Sequence, residues 1–361
     1  MQICRWLHPR HDWIFQEKTV VLPQVQYSPW ILGSPYNYLR SWWSPLDDVV
    51  AVRQLTRPLQ HLEGPHWDPD KAALFFVDIQ QQLVCRYEPA AAELTSVKLD
   101  GGPVSLVVPV KNSADRFVAS VGRDLVLLTW NGLNSSTAAS TRVLASVDED
   151  KPANRFNDGK ADSIGRIWAG TMGAEPTVGK VDPNQGSLYS LNTTSTQAVR
   201  HVSNVTVSNG LVWDSTNTIL YWTDTATRRV DAFDFDVDAG TIANRRPVFD
   251  FAAHGITGYP DGMTIDFTGC LWIACFDGGK VIQVSPWDGR LLRAVELPAT
   301  RVTSMAWGGP LLDLLYVTTS RAGLSEQQLR QEPDAGSLFV VSGLGAGARP
   351  AHPAVRPEAY V

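Results

Sequence analysis

The sequence predicts an all-β fold, a closed ring of six four-stranded units, and three observations carry that expectation. Short apolar runs with an aromatic residue recur along the chain: Phe75, Phe117, Trp168, Tyr221, Trp272 and Tyr316 stand 42 to 53 residues apart. Each run is followed, after a polar gap, by a second one (Gln82 to Tyr87, Asp124 to Thr129, Ser187 to Leu191, Arg229 to Phe235, Lys280 to Val284, Ser337 to Val341), which reads as a hairpin. Gly and Pro number 28 and 23, and no stretch of helical length keeps a clean 3.6-residue apolar period. Units of about 40 to 50 residues that close into a ring remove long sheet edges, whereas a solenoid would need shorter units and open ends. A six-bladed β-propeller satisfies all three observations.

Taken in order, residues 1–48 fit no repeat. They hold five of the 13 Trp (Trp6, Trp13, Trp30, Trp42, Trp43) with scattered Tyr and Pro, and read as an irregular N-terminal extension in which Val20 to Leu22 is a strand candidate. Val49 to Leu55 alternates like a strand and is the candidate clasp that joins the last blade and fastens the ring. Residues 49–344 form the propeller. Within them Leu74-Phe75-Phe76-Val77 is almost continuously apolar, as an inner strand buried on both faces must be. Val104 to Val110 and Val202 to Val207 are further strand candidates, and residues 345–361 read as a C-terminal tail.

With 361 residues, 44% hydrophobic, 19% charged and a net charge of −6, the composition is that of a globular enzyme or binder of small molecules. No Lys/Arg-rich run offers a nucleic acid or an anionic membrane a partner surface. There is no apolar segment of secretory or membrane-spanning length, so a cytoplasmic monomer is expected. Cys4, Cys85, Cys270 and Cys275 lack metal-site spacing and read as small buried residues.

A second periodicity overlies the first. Glu63, Asn157, Asn209 and Asp261 each precede an Asp by five residues (Asp68, Asp162, Asp214, Asp266) and precede the blade aromatic by 11 or 12. Each stands near the start of a presumed innermost strand, so a ring brings all four to one mouth of the channel. Asn-Gly and Asp-Gly pairs alone are ordinary turn signals, but their shared register argues for a common site. Carboxylates brought together repel unless a cation intervenes, and an oxygen-only set suits Ca²⁺, Mg²⁺ or Mn²⁺ better than the usual zinc set. The Asp five residues on reads as a turn cap, and Trp67 and Trp213 read as wedges between blades.

Glu63-Gly-Pro-His-Trp-Asp, Arg155-Phe-Asn-Asp-Gly-Lys-Ala-Asp, Gly165-Arg-Ile-Trp-Ala-Gly-Thr-Met, Gln185-Gly-Ser-Leu-Tyr-Ser, Ser208-Asn-Gly-Leu-Val-Trp and Tyr259-Pro-Asp-Gly-Met-Thr-Ile-Asp together resemble the regucalcin (senescence marker protein) and gluconolactonase family. The resemblance runs from about Val49 to Leu344. It implies the six-bladed propeller and hydrolysis of sugar lactones, with other lactones or organophosphates as relatives' substrates and a non-catalytic calcium-binding, regulatory role as the alternative. It implies that Glu63, Asn209 and Asp261 ligate one divalent cation, Ca²⁺ foremost, with Zn²⁺, Mg²⁺ or Mn²⁺ as other candidates. It makes Arg155 and Asn157 substrate contacts, and places Asp182 where the family has a substrate-binding Glu.

A dication on three protein ligands keeps positions open for a lactone carbonyl and a water. Asp261 is the candidate general base, and Arg155 the donor to a ring hydroxyl or ester oxygen. Gly-x-Ser-x-Gly is absent; His61 and His66 read as structural; Gly173 to Pro183 reads as a lid over the mouth.

Overall fold

The computed structural model describes residues 49–133, 140–191 and 197–355. Expectations for residues 1–48, including the Val20 to Leu22 strand, lie outside the described residues.

Six four-stranded antiparallel sheets form the ring. Blade 1 is β2 (Leu62–Asp68), β3 (Ala73–Asp78), β4 (Leu83–Glu88) and β5 (Glu93–Lys98). Blade 2 is β6 (Val107–Pro109), β7 (Arg116–Val121), β8 (Asp124–Thr129) and β9 (Ser140–Ser146). Blade 3 is β10 (Arg155–Ala161), β11 (Ile167–Met172), β12 (Gly186–Leu191) and β13 (Ala198–Val205). Blade 4 is β14 (Ser208–Trp213), β15 (Ile219–Asp224), β16 (Arg229–Asp236) and β17 (Thr241–Asp250). Blade 5 is β18 (Tyr259–Ile265), β19 (Leu271–Phe276), β20 (Lys280–Ser285) and β21 (Arg290–Glu296). Blade 6 combines β22 (Arg301–Gly308), β23 (Leu314–Ser320) and β24 (Phe339–Ser342) with β1 (Ala51–Gln54) from the other end of the described chain. That clasp pairs Ala51 with Ser342 and Gln54 with Phe339, so the ring closes by backbone hydrogen bonds.

Apolar side chains fill the seams between blades. Trp168, Leu188, Leu211, Trp213, Leu220 and Trp222 join blades 3 and 4, and Trp67 stacks on Tyr316 of blade 6 with ring centroids 5.5 Å apart. Burial of such side chains contributes about 1.5–3 kcal/mol each, which is why the aromatic recurs once per unit. The Asp of each repeat caps the turn between the first two strands: Asp266 Oδ1 accepts from the backbone N–H of Thr268 and Cys270, while its Oδ2 accepts from Trp272 Nε1 at 2.9 Å. Asp162 does the same for Trp168 at 3.1 Å, so capping Asp and core aromatic form one hydrogen-bonded unit.

Two details depart from expectation. A short helix, α1 (Glu326–Gln331), interrupts blade 6; its Ser325/Gln328 capping box satisfies the N-terminal amides, and at six residues it is too short to show a period. The segment expected as a tail is part of the fold as far as Val355. It leaves blade 6, where Ala348 N–H bonds Leu312 O, and touches blade 5, where Gly347 O accepts from Phe267 N–H. It then reaches blades 2 and 3, where Ala354 is fully buried and pairs with Val110, and Val355 N–H bonds Gly165 O. All of these partners lie in turns between the first and second strands of their blades or beside them. The segment therefore straps the end of the channel opposite the mouth where the innermost strands begin. Its lack of any repeat left this placement invisible in the sequence.

Candidate functional site

Glu63, Asn157, Asn209 and Asp261 all lie within the first three residues of their innermost strands, β2, β10, β14 and β18. In each strand the pairing register slips at that point: between Glu63 and His66, Phe156 and Gly159, Asn209 and Leu211, Pro260 and Met263. Such bulges twist a strand and re-aim its side chains, here at the mouth. The carbonyl just before each of the four residues is held by a polar side chain. Thr303 Oγ1 donates to Leu62 O at 2.7 Å, Ser105 Oγ to Phe156 O at 2.8 Å, Asn157 Nδ2 to Ser208 O at 3.0 Å and Thr225 Oγ1 to Pro260 O at 2.9 Å. The donors come from a neighbouring blade in every case, so the ring itself sets the geometry of the mouth.

Gly210 and Gly262, which follow Asn209 and Asp261, are packing requirements and not turn residues, whereas Gly64 after Glu63 takes a φ of +56°. Neither Gly210 nor Gly262 has a positive φ. A Cβ on Gly210 would lie 2.4 Å from Asp261 O, and one on Gly262 would lie 2.5 Å from Ser304 Cβ. The innermost strands approach too closely there for any side chain.

Glu63, Asn209 and Asp261 come together, close enough for the Asn209 and Glu63 side chains to act on the Asp261 carboxyl group. All three are at most 5% exposed. Burial first, and then the mutual proximity of carboxylates that include Asp158, push the Glu63 and Asp261 carboxyl groups well above their ordinary range. Asp261 Oδ1 and Asp158 Oδ2 are buried without a hydrogen-bond partner among the described residues. Among the described residues no three His, Cys, Asp or Glu side chains gather as a metal set, and the third member here is the carboxamide of Asn209. Two buried carboxylates in contact, an unpartnered oxygen and an all-oxygen donor set fit a hard divalent cation.

Asn157 does not offer its oxygen to this trio. Its Oδ1 accepts from Arg155 Nη1 at 2.8 Å while its Nδ2 holds Ser208 O, so it bridges Arg155 to the strand that carries Asn209. The acid that faces Arg155 is Glu175 and not Asp182. Glu175 Oε2 lies 3.5 Å from Arg155 Nη2, and Glu175 Oε1 accepts from Gly179 N–H at 2.8 Å. Asp182 stands on the returning arm of the same loop, its N–H bonded to Ala174 O, and its carboxylate makes no hydrogen bond or ion pair with another described residue. Asp182 lies three residues before Gln185-Gly-Ser-Leu-Tyr, and Glu175 three residues after Met172. The loop turns at Thr177–Lys180, and a Cβ on Gly323 would sit 2.9 Å from Val178 Cβ. It therefore spans from blade 3 to blade 6 across the mouth, with Glu175 fastening it to Arg155.

His61 and His66 are buried and held neutral, chiefly by desolvation, which lowers their pKa to about 3 and about 4. His61 stacks near Phe276 with centroids 6.5 Å apart, a packing role. A separate surface cleft of 290 Å³ beside Thr300 and Gln331 gathers none of these groups.

Fold and mouth together define a propeller that collects oxygen donors from several blades at one end of its channel. Residues 62–321 match the SMP-30/Gluconolactonase/LRE-like region, and the chain belongs to that family. It is 40% identical to regucalcin of Sus scrofa over 291 residues, 81% of this chain and 93% of that one. Regucalcin of Homo sapiens is 39% identical over 78% of this chain and 91% of its own length. Among solved structures, a luciferin-regenerating enzyme superposes with a TM-score of 0.80 at 36% identity, covering 85% of this chain and all (100%) of that one. A calcium-binding protein, regucalcin, from Agrobacterium tumefaciens shares the fold with a TM-score of 0.75 at 24% identity, covering 85% and 97%. Among the described residues no helix is long and apolar enough to cross a membrane.

Proposed function

We propose that this chain is a divalent-cation-dependent hydrolase that opens sugar lactones. The observation that carries the reading is the meeting of Glu63, Asn209 and Asp261 at one mouth, with Asp261 Oδ1 buried and unpartnered. These three would hold the ion, with Ca²⁺ first among candidates, since a solved relative is described as calcium-binding. The chemistry such an ion supplies when bound is polarisation of a carbonyl and a lowered pKa for water.

The remaining work falls to side chains. Asp261, a buried carboxylate at the mouth, accepts the proton of the attacking water. Arg155, held by Asn157 and Glu175, presents its rigid donor fork to the oxygens of the sugar ring, and Glu175 accepts from a hydroxyl when the substrate displaces part of its ion pair. Asn157 keeps Arg155 and the Asn209 strand in register. The loop Gly173 to Pro183 excludes bulk water and strengthens each of these interactions. In this reading Glu175 takes the substrate-binding place first given to Asp182.

The test is hydrolysis of a panel of sugar lactones by metal-stripped protein re-supplied singly with Ca²⁺, Mg²⁺, Mn²⁺ and Zn²⁺. Turnover restored by one ion supports the proposal. Metal binding without turnover of any lactone would replace it with a calcium-binding regulatory role, and preference for phosphotriesters would replace the substrate class.

A further inference from the structure

Below the trio the channel holds two more ionisable groups that the proposed reaction does not use. Asp158 is 3% exposed; its Oδ1 accepts from Gly159 N–H at 2.7 Å and its Oδ2 has no partner. Lys160 stands two residues further along β10, and its Nζ donates to the carbonyl of Met263 on β18. Blades 3 and 5 are not neighbours, so the Lys160 side chain reaches past blade 4 across the channel and ends two residues below Asp261.

The charges around that point are few and can be counted. Glu63, Asp158 and Asp261 are buried carboxylates. Arg155 is turned to Glu175 and Asn157, Lys71 pairs with Asp68, and Arg301 pairs with Asp277. Among the described residues no carboxylate forms an ion pair with Lys160, and the acids that act on it through space are Asp158 and Glu63. Three negative charges and one fixed positive charge leave a deficit of two.

We propose that Lys160 is a built-in counter-ion that positions the site's charge balance, so that the mouth accepts one ion of charge two and no more. The inference rests on the metal reading above and adds why that ion is a lone divalent one. A burial of unpaired charge is costly, so three carboxylates with only a dication would still hold a net charge in a dry channel. The ammonium cancels it without competing for ligand oxygens, because its visible hydrogen bond goes to a backbone carbonyl.

A merely structural tie between blades 3 and 5 would affect every ion alike, whereas a counter-ion must act in proportion to ion charge. The experiment therefore compares Ca²⁺ and Tb³⁺ affinity by calorimetric titration in the wild type, Lys160→Met, Asp158→Asn and the double variant. Lys160→Met is expected to shift the affinity ratio by about tenfold towards Tb³⁺, Asp158→Asn by a similar factor towards Ca²⁺, and the double variant to return near the wild-type ratio. Affinities that change in parallel, or a ratio that stays within about twofold in both single variants, overturn the counter-ion role alone. A wild type that binds neither ion overturns the metal reading and this inference together. Should Lys160→Met fail to fold, Lys160→Gln takes its place, with the same expected shift towards Tb³⁺ and the same unchanged ratio as the overturning result.

Discussion

Asp261→Asn keeps the shape of the side chain and removes its charge, and it should act in opposite directions on the metal-free and metal-bound protein. Without metal, burial drives both carboxyl groups above their usual range, and neighbouring acids add to it, Asp261 and Asp158 for Glu63 and Asp158 for Asp261. Removing one charge relieves that repulsion, so the metal-free variant should be at least as stable as the wild type. With metal, the loss of an anionic ligand should weaken binding by about 100-fold or more, about 2.7 kcal/mol. At a Ca²⁺ concentration about 100 times the wild-type Kd, ligand linkage stabilises the wild type by about 2.7 kcal/mol and the variant by only about 0.4. For a domain of this size that is a calcium-induced rise in Tm of roughly 5 °C in the wild type and roughly 1 °C in Asp261→Asn. Thermal unfolding with and without Ca²⁺ reads both effects in four curves. Equal calcium-induced shifts in the two proteins would refute the reasoning, because Asp261 would then not touch the ion.

Glu175→Gln should raise KM for a sugar lactone by about tenfold while Asp182→Asn stays within about twofold; the reverse order in steady-state kinetics would restore Asp182 to the site. Gly210→Ala places a methyl group 2.4 Å from Asp261 O and should cost about 1–3 kcal/mol in denaturant melts and weaken metal binding, so an unperturbed variant would contradict the close approach of β14 and β18. His201, stacked on Trp168 at 4.4 Å, is held neutral by burial with its pKa lowered to about 4. Since the unfolded chain binds the proton first, its share of stability is full above pH about 6.5 and is lost as pH falls towards about 4. His201→Gln should therefore flatten the stability curve over that window; parallel curves would show that the imidazole does not titrate there.

Much of this architecture was legible because a propeller writes the same instruction once per blade. The Asp five residues after each oxygen-bearing residue is readable since cap, turn and aromatic N–H lie within one hairpin, as in Asp266 with Trp272. The shared register pointed to Glu63, Asn157, Asn209 and Asp261 at one mouth, and only the family resemblance singled out Glu63, Asn209 and Asp261. What was not legible lies across blade seams. The four carbonyl ties from Thr303, Ser105, Asn157 and Thr225 join residues far apart in order and leave no local trace. Gly210 and Gly262 looked like turn residues because sequence cannot distinguish a glycine needed for its dihedral freedom from one needed for its missing Cβ. Glu175 went unnoticed in the sequence because nothing local shows that its arm of the loop, and not the arm carrying Asp182, lies over Arg155.

The strap from Ala348 to Val355 has a consequence for traffic. Because it lies across the far end of the channel, the strap and the loop fastened by Glu175 stand at opposite ends of one passage. Under the proposed hydrolysis, substrate and product pass on the side of the Arg155–Glu175 latch, and the pace at which that latch yields bounds the rate of turnover.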